Sequence, residues 1–241
     1  MTTRDEIYLV PKPLVSDFAF GSETAAVFDD MLDRSVPFYS EIQRMITELA
    51  ADFAVDGSNV YDLGCSTCAT FRRLADLDRD VTFVGIDDSQ AMLDRGREDL
   101  ERSGFGRRFE LQRRDLHEGL DIHDASVVIL CLTLQFVRPL HRERVMKAIY
   151  DGMRPQGCLI VVEKVLAEET LMNRFFIKHY YDMKRRNGYS DIEIAQKREA
   201  LENVLIPYRL DENVALMKEA GFHQPEIFFK WYNFSGLVAV K

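Results

Sequence analysis

The sequence lacks the features that mark several classes of protein. Its 241 residues contain no uninterrupted run of the ~18–20 apolar side chains that a membrane-spanning helix requires. The N-terminal stretch MTTRDEIYLVPKPLV has early acidic residues and two prolines, so it lacks the apolar core of a secretory signal. Four cysteines in a chain of this length are too few for a disulfide framework. These absences predict a cytoplasmic protein with no membrane association.

The chain also has too few basic residues for a surface that binds the phosphates of nucleic acid. The chain has 31 Lys and Arg against 40 Asp and Glu, which gives a formal net charge of −9 and a pI near 5.1. A protein that binds phosphate backbones usually carries the opposite balance. We therefore expect no direct binding of nucleic acid and favour a small molecule as the substrate.

Two glycine-rich nucleotide motifs are absent as well. No G-x-G-x-x-G is present, which argues against NAD, and no G-x-x-x-x-G-K-[ST] is present for a nucleoside triphosphate. What the chain has is the stretch YDLGCSTCAT (61–70), where Gly64 is followed by the small residues Ser66 and Cys68. Small residues let the backbone of such a turn approach a ligand closely. The turn alone is weak evidence for a cofactor.

Apolar runs alternate with helical stretches along most of the chain. A strand–helix alternation predicts an α/β fold with a parallel sheet covered by helices on both faces. Residues 226–241 read as two strands with almost no helix between them, which predicts an antiparallel pair at the end of the sheet. The predicted strands are VYDLG (60–64), VTFVGID (81–87), FELQ (109–112), SVVILCL (126–132), CLIVVE (158–163) and the final pair.

We expect one domain over residues 1–241. Residues 1–35, which contain Pro11, Pro13 and Gly21, form an N-terminal extension that is predicted to be irregular. The segment from about residue 165 to residue 220 forms a charged helical insertion. It is longer than the ~10–12 residues that a crossover between two parallel strands needs. A lid, a substrate cap and a dimer surface are all compatible with this insertion.

Two acidic residues follow the second and third predicted strands. In doubly wound sheets the ligand lies at the carboxyl ends of the strands, and an acid about 20 residues after the glycine turn binds the ribose. Asp87 has this position, and Asp115 ends the third strand, where it could accept a hydrogen bond from an adenine amino group. The alternative is a structural role, with Asp88 or Ser89 capping a helix and Asp115 capping a turn.

Cys65 and Cys68 form a C-x-x-C pair, a spacing found in redox and zinc sites. No second C-x-x-C and no nearby histidine completes a set of ligands, so we predict no metal.

Several longer motifs resemble one family of enzymes. The predicted sheet with its antiparallel end is similar to the class I S-adenosylmethionine-dependent methyltransferases, which have a Rossmann-like, mostly parallel seven-stranded sheet. Within that superfamily the chain resembles the carboxy-S-adenosyl-L-methionine synthases of tRNA wobble-uridine modification, over nearly its whole length. The motifs that carry the resemblance are RDEIY, DMLDRSVPFYSEI (30–42), VYDLGCS (60–66), LTLQF (132–136), KRRNGYSDIEIAQKREALENV (184–204) and WYNFSGLVAVK.

This resemblance implies an unusual reaction. S-adenosyl-L-methionine and prephenate give carboxy-S-adenosyl-L-methionine and phenylpyruvate. Prephenate loses carbon dioxide and hydroxide as its ring becomes aromatic, the hydroxide takes a proton from the sulfonium methyl group, and the resulting ylide captures the carbon dioxide. Such a site must exclude water and must supply fixed positive charge for carboxylates.

The resemblance also assigns roles to individual residues. One arginine, Arg198 in QKR, corresponds to the residue that receives the carboxylate of the product; its alternative is a surface ion pair with Glu193, Glu199 or Glu202. The residues that correspond to cofactor contacts are Tyr39, Gly64, Cys65, Ser66, Asp87, Asp88, Asp115 and Leu116, with Cys131 where the family has an asparagine.

The chain departs from the family pattern at two places. The first is the turn, where the family continues GCS-x-G-A-A-T, whereas GCSTCAT (64–70) is one residue shorter and lacks the second glycine. The second is Cys131, in place of the asparagine. A conventional methyltransferase and a non-catalytic adenosyl-ligand-binding scaffold therefore stay open as alternative functions. The family also implies a homodimer, to which we expect the apolar face of the insertion to contribute: Leu171, Phe175, Phe176, Tyr180 and Tyr181.

Overall fold

A mixed β-sheet forms the centre of the protein, of which the computed structural model describes residues 3–241. The strand order is β3-β2-β1-β4-β5-β8-β7, with β1 to β5 parallel and β8 antiparallel to both of its neighbours. The strands are β1 (Asn59–Leu63), β2 (Thr82–Asp87), β3 (Phe109–Arg113), β4 (Ala125–Cys131), β5 (Met153–Leu166), β6 (Tyr208–Arg209), β7 (His223–Trp231) and β8 (Phe234–Val240).

This sheet confirms the predicted α/β architecture with its antiparallel end. The one addition is β6, a strand of only two residues that pairs in parallel with the end of β5. A segment this short has no alternating apolar pattern, so periodicity could not predict it.

Helices cover both faces of the sheet. They are α1 (Ser22–Ser35), α2 (Tyr39–Phe53), α3 (Ala69–Arg73), α4 (Gln90–Arg102), α5 (Pro139–Gly152), α6 (Thr170–Arg186), α7 (Asp191–Leu201) and α8 (Leu210–Ala220), with a 3₁₀ turn at Leu134–Phe136. One core packs α2, α3, α4 and α6 against the first face, and a second core packs α5 and α8 against the other. Because β1, β4 and β5 are covered on both sides, their central residues are mostly apolar and buried. No helix among residues 3–241 has the length and apolar character to cross a membrane.

The expectation of an irregular segment up to residue 35 was wrong for its second part. Residues 22–35 form α1, which buries Val27, Phe28 and Met31 on one side. Pro11, Pro13 and Gly21 all precede this helix, so they restrict only the chain before it. The apolar spacing of a helix is present here, and it outweighs the nearby breakers.

The N-terminal extension packs on the helical insertion. The Gln196 side chain on α7 accepts a hydrogen bond from Lys12 N at 2.6 Å and donates to Tyr8 O at 2.8 Å. Arg34 at the end of α1 donates from Nε to Asn187 O at 2.9 Å. Within residues 165–220, α6 and α7 lie on this side of the sheet, whereas α8 packs against α5 and β7 on the opposite face.

The turn after β1 lies against the loop after β4. A Cβ atom added to Gly64 would lie 2.4 Å from Thr133 Oγ1 and 2.5 Å from Thr133 Cγ2, both far inside van der Waals contact. Gly64 also has a φ of +75°, in the left-handed region. The position therefore needs glycine for its conformation and for the space that Thr133 fills.

We expect Gly64→Ala to destabilise the fold more than Gly57→Ala. Gly57 has nearly the same φ, +76°, but a Cβ atom there meets nothing within 4 Å. Gly57→Ala should cost about 1–2 kcal/mol for its backbone conformation alone, and Gly64→Ala should cost about 1–3 kcal/mol more for overpacking. Urea unfolding followed by circular dichroism measures both values, and equal losses would contradict the close approach to Thr133.

Candidate functional site

The turn after β1 is held by backbone hydrogen bonds to β2. The amides of Gly64 and Cys65 both donate to Ile86 O, at 2.7 and 3.1 Å. Ser66 and Cys68 have φ values of +47° and +57°, so two non-glycine residues also adopt left-handed conformations. Such strain costs of order 1–3 kcal/mol per residue and is concentrated at functional sites in proteins. The shortened GCSTCAT stretch thus forms a tight turn without its second glycine.

Asp87 connects that turn to the next helix. Its Oδ2 accepts from Ser66 N and its Oδ1 accepts from Ser89 N, each at 2.9 Å. The carboxylate is buried, and burial raises its pKa to about 6, although both N–H bonds oppose this shift. Each carboxylate oxygen keeps a free lone pair for a further donor such as a ribose hydroxyl. Ser89 is the N-cap of α4, so the capping role falls to Ser89 and leaves Asp87 free for a ligand.

Asp115 follows β3 and holds a histidine. Asp115 Oδ1 accepts from His117 N at 2.8 Å and lies 2.6 Å from His117 Nδ1. His117 Nε2 accepts from Arg138 N at 3.0 Å, which assigns the ring proton to Nδ1. These hydrogen bonds and the nearby histidines lower the pKa of Asp115 even though burial opposes them. Asp115 therefore has the turn-capping role of the structural alternative, and it lines the cavity as well.

A third group of site residues joins α2 to the end of β4. Gln43 Nε2 donates to the Tyr39 hydroxyl at 3.2 Å and to Cys131 Sγ at 3.6 Å. Gln43 is 1% exposed, and its Oε1 has no hydrogen-bond partner among residues 3–241. A buried carbonyl oxygen without a donor is costly, so its presence beside a cavity points to a ligand that supplies an N–H or O–H group.

A buried carboxylate fixes the loop after β4. Glu163 on β5 accepts from the backbone N–H groups of Thr133, Leu134 and Gln135, at 3.1, 2.8 and 2.9 Å. Burial raises the pKa of Glu163 to about 8, against the effect of these three donors and of Arg142. Arg142 on α5 donates from Nε to Val137 O at 2.8 Å. The loop is thus bonded through both its amides and its carbonyls.

These elements enclose one mainly apolar cavity of about 230 Å³. It lies at the carboxyl ends of the parallel strands, where the strand order changes direction between β1 and β4. The predicted cofactor residues all line it: Tyr39, Gly64, Cys65, Ser66, Asp87, Asp88, Asp115, Leu116 and Cys131.

Arg198 does not line this cavity. It is exposed on α7, while its neighbour Lys197 is buried and does line the cavity. Among residues 3–241 Arg198 forms no ion pair with Glu193, Glu199 or Glu202, and the Glu193 carboxylate instead accepts from Ser190 N in a capping box. The chain's own fold therefore does not bring Arg198 together with the predicted cofactor residues.

Three further residues that line the cavity were not predicted from the sequence. Lys164 lies near the end of β5, Lys197 lies on α7, and Gln43 lies on α2. The only sequence signal for Lys197 was its place in the QKR motif, next to the residue that was chosen. Gln43 gave none, because its role depends on the contact with Cys131 across the fold.

Cys65 and Cys68 are free thiols in the buried core of the turn, as is Cys158 elsewhere in the sheet. Among residues 3–241 no group of three or more Cys, His, Asp or Glu side chains is arranged to hold a metal ion.

Comparison with known proteins identifies the relatives of the chain. Residues 60–157 match the model of a methyltransferase domain. The chain is 53% identical to the carboxy-S-adenosyl-L-methionine synthase of Methylococcus capsulatus, over 99% of this chain and 100% of that protein. It is 44% identical to the enzyme of the same name from Desulfotalea psychrophila, over 99% and 97% of the two chains. The chain belongs to the carboxy-S-adenosyl-L-methionine synthase family.

Solved structures support the same fold. An O-methyltransferase family protein from Burkholderia thailandensis superposes with a TM-score of 0.63 at 15% identity, over 93% of this chain and 64% of that one. The fold is therefore that of the class I methyltransferases, as the sequence predicted, and membership of the synthase family makes the chain a transferase.

We expect Asp87→Ala to weaken the binding of S-adenosyl-L-methionine by about tenfold or more, because a charge-assisted hydrogen bond contributes roughly 1.5–3 kcal/mol. Since burial raises the pKa of Asp87 to about 6, the wild-type affinity should be constant above pH 6 and should fall as the pH drops below it. Titration calorimetry across this range measures both effects.

Asp88→Ala is the matched control for this experiment. Asp88 is the next residue and lines the same cavity, but its side chain is exposed. The Asp88→Ala protein should keep a pH step in its affinity, at a pH slightly below that of the wild type because the charge of Asp88 helps to raise the pKa of Asp87. The Asp87→Ala protein should lose the step. An unchanged affinity in a folded Asp87→Ala protein would exclude Asp87 from the binding site.

Proposed function

We propose that this protein is a carboxy-S-adenosyl-L-methionine synthase that uses prephenate as its second substrate. S-adenosyl-L-methionine and prephenate would give carboxy-S-adenosyl-L-methionine, phenylpyruvate and water. The observation that carries the proposal is the identity of 53% to a synthase over the whole chain, together with a cavity that contains every predicted cofactor residue. We further propose that its product serves tRNA wobble-uridine modification in the cytoplasm, where the free thiols of its four cysteines suit a reducing environment.

The residues of the cavity fit S-adenosyl-L-methionine. Gly64 lets the turn after β1 pack directly against the loop after β4, and both segments line the cavity. Asp87 has one free lone pair on each carboxylate oxygen for the ribose hydroxyls, and Asp115 lies at the end of β3 for the adenine. The unpartnered Gln43 Oε1 is a buried acceptor suited to an amino group.

The cofactor would supply an electrophilic sulfonium with an acidic methyl group, and the protein would provide positioning and exclusion of water. Aromatic side chains line the cavity, and Phe20 packs edge-on against Phe136 with ring centroids 5.1 Å apart. A mainly apolar enclosure protects a reactive carbanion from protonation and strengthens each electrostatic contact inside it. We therefore propose that the N-terminal extension, which carries Phe18 and Phe20, and the insertion, which carries Lys197, close over the substrates.

Incubation of the purified protein with S-adenosyl-L-methionine and prephenate tests this function. Mass spectrometry should detect a species heavier than S-adenosyl-L-methionine by one carbon dioxide, together with an equal amount of phenylpyruvate. A reaction without prephenate is the control. Accumulation of S-adenosyl-L-homocysteine with an added nucleophile would instead indicate a conventional methyltransferase, and a protein that binds the cofactor but turns over neither mixture would be a scaffold.

We propose that the protein is a homodimer and that α6 contributes to its interface. The apolar side chains Leu171 and Phe175 on this helix are 52% and 45% exposed, whereas Tyr180 further along it is buried in the core. Tyr232, 40% exposed, packs beside Phe176 with a centroid separation of 5.3 Å. A contiguous apolar surface of this kind is typical of a protein–protein contact.

A dimer would also give Arg198 its predicted role. Arg198 is exposed on α7, outside the cavity of its own chain, so it would receive the carboxylate of the product in the site of a second copy. The planar guanidinium can bind a carboxylate through two parallel hydrogen bonds, which lysine cannot do.

Mixed dimers test this arrangement. Asp87→Ala and Arg198→Ala should each lose most synthase activity, and light scattering should give the mass of a dimer for both. A dimer of one subunit of each kind keeps one site with an intact Asp87 and an intact Arg198 only if Arg198 acts across the interface. Recovery of up to about half the wild-type activity is expected; a monomer, or no recovery in mixed dimers, would contradict the proposal.

A further inference from the structure

Three lysines from three separate elements meet beside the cavity. Lys164 lies at the end of β5, Lys184 on α6 and Lys197 on α7. Lys184 and Lys197 are 5% and 6% exposed, and the Lys164 side chain is partly buried. Lys164 and Lys197 line the cavity, while Lys184 lies behind them. Lysine is almost never buried without a partner, so three together need an explanation.

The protein supplies little negative charge to this lysine cluster. Among residues 3–241, Asp5 is the one carboxylate in contact, with its Oδ2 3.6 Å from Lys197 Nζ. That oxygen also accepts from the Tyr189 hydroxyl at 2.6 Å. Within residues 3–241, Lys164 and Lys184 form no ion pair. Their Nζ atoms lie 4.9 and 5.0 Å from the centroid of the Tyr180 ring, where they make cation–π contacts.

This arrangement leaves positive charge uncompensated. Burial lowers the pKa of Lys164 and of Lys197 to about 8, and Asp5 only partly opposes the shift at Lys197. Burial also lowers the pKa of Lys184, and the positive charges of Lys197 and Lys164 lower it further. An isolated buried charge is unfavourable in any fold, and it is tolerated most readily where a ligand of opposite charge completes it.

The cavity beside the cluster has the shape and chemistry of a site for an apolar acid. Lys164 lies near the end of β5, on the far side of the switch point from β2, which carries Asp87. Phe20, Phe136 and Phe234 line the same cavity and can pack against a six-membered ring. One ligand could thus place its ring on the aromatic wall and its carboxylates at the lysines.

We propose that Lys164 and Lys197 form a carboxylate-binding subsite for the second substrate, with Lys184 reinforcing the positive potential behind them. The proposal rests on the proposed function only for the identity of this substrate as prephenate. It belongs to one chain and does not require Arg198 or a second copy. The ligand class is a small acid with a ring and at least one carboxylate.

Lys164→Met is the decisive variant, because among residues 3–241 Lys164 has no carboxylate partner that its removal would leave unpaired. The protein is first saturated with S-adenosyl-L-homocysteine, which cannot react, and is then titrated with prephenate and with phenylpyruvate in a calorimeter. Loss of one charge-assisted contact should weaken the binding of prephenate by about tenfold or more. The affinity for S-adenosyl-L-homocysteine should change by less than about twofold, because the proposed adenosine contacts, Asp87 and Asp115, lie on the other side of the switch point.

Thermal unfolding separates a binding role from a structural one. Replacing a desolvated ammonium by an apolar side chain of similar length should leave the melting temperature of Lys164→Met equal to or above that of the wild type. Lys197→Met should also weaken the binding of prephenate, but with some loss of stability, since Asp5 loses its partner. Lys178→Met is the control: this exposed lysine on α6 pairs with Asp182 at 2.8 Å and should change neither affinity.

Several results would overturn the subsite. It is wrong if the Lys164→Met protein binds prephenate as tightly as the wild type does. It is also wrong if this variant binds prephenate and S-adenosyl-L-homocysteine more weakly by the same factor and has a lower melting temperature, or if the wild type binds neither prephenate nor phenylpyruvate. Lysine-dependent binding of prephenate without formation of carboxy-S-adenosyl-L-methionine would support the subsite and refute the proposed function. Wild-type turnover that Lys164→Met retains with an unchanged KM would support the function and refute the subsite.

Discussion

The hydrogen bonds that Glu163 accepts determine the position of the loop after β4, and most of the site depends on that loop. A buried carboxylate needs several donors, and the three consecutive amides of residues 133–135 provide them. The same loop contacts Gly64 through Thr133, and Gln135 O accepts from Ile206 N beyond α7 at 2.8 Å. The Glu163 side chain on β5 thus links the turn after β1, the sheet and the insertion.

The part of the cavity formed by the ends of β1, β2 and β3 was predictable, because it depends on local features of the chain. A glycine after β1 and acids after β2 and β3 need only the rule that parallel strands end at one edge of the sheet. Gly64, Asp87 and Asp115 therefore line the cavity as expected. Gln43 and the lysine cluster could not be predicted in this way, because their neighbours come from distant elements that only tertiary packing brings together.

The QKR motif illustrates a limit of a different kind. Successive residues on a helix point about 100° apart, so a motif can identify a helix without identifying which residue faces the ligand. On α7 the buried face contains Glu193, Ile194 and Lys197, at spacings of one, three and four residues, and this face excludes Arg198. Most side chains on the buried face of α7 are polar or charged, so apolar periodicity in the sequence gives no sign that Lys197 is buried.

The charges of the cavity explain how two substrates could be oriented by one fold. Asp87 and Asp115 would give a bound adenosine acceptors for its hydroxyl and amino donors, and the lysines give the other end of the cavity positive charge. Because burial lowers the pKa of Lys164 and Lys197 to about 8, their cost to stability is complete below pH 8 and disappears as the pH rises towards the usual lysine value near 10.5. The two buried lysines therefore lower the stability of the protein throughout the neutral pH range. A bound carboxylate would offset it there, so the energy that destabilises the free protein would favour binding of the acid.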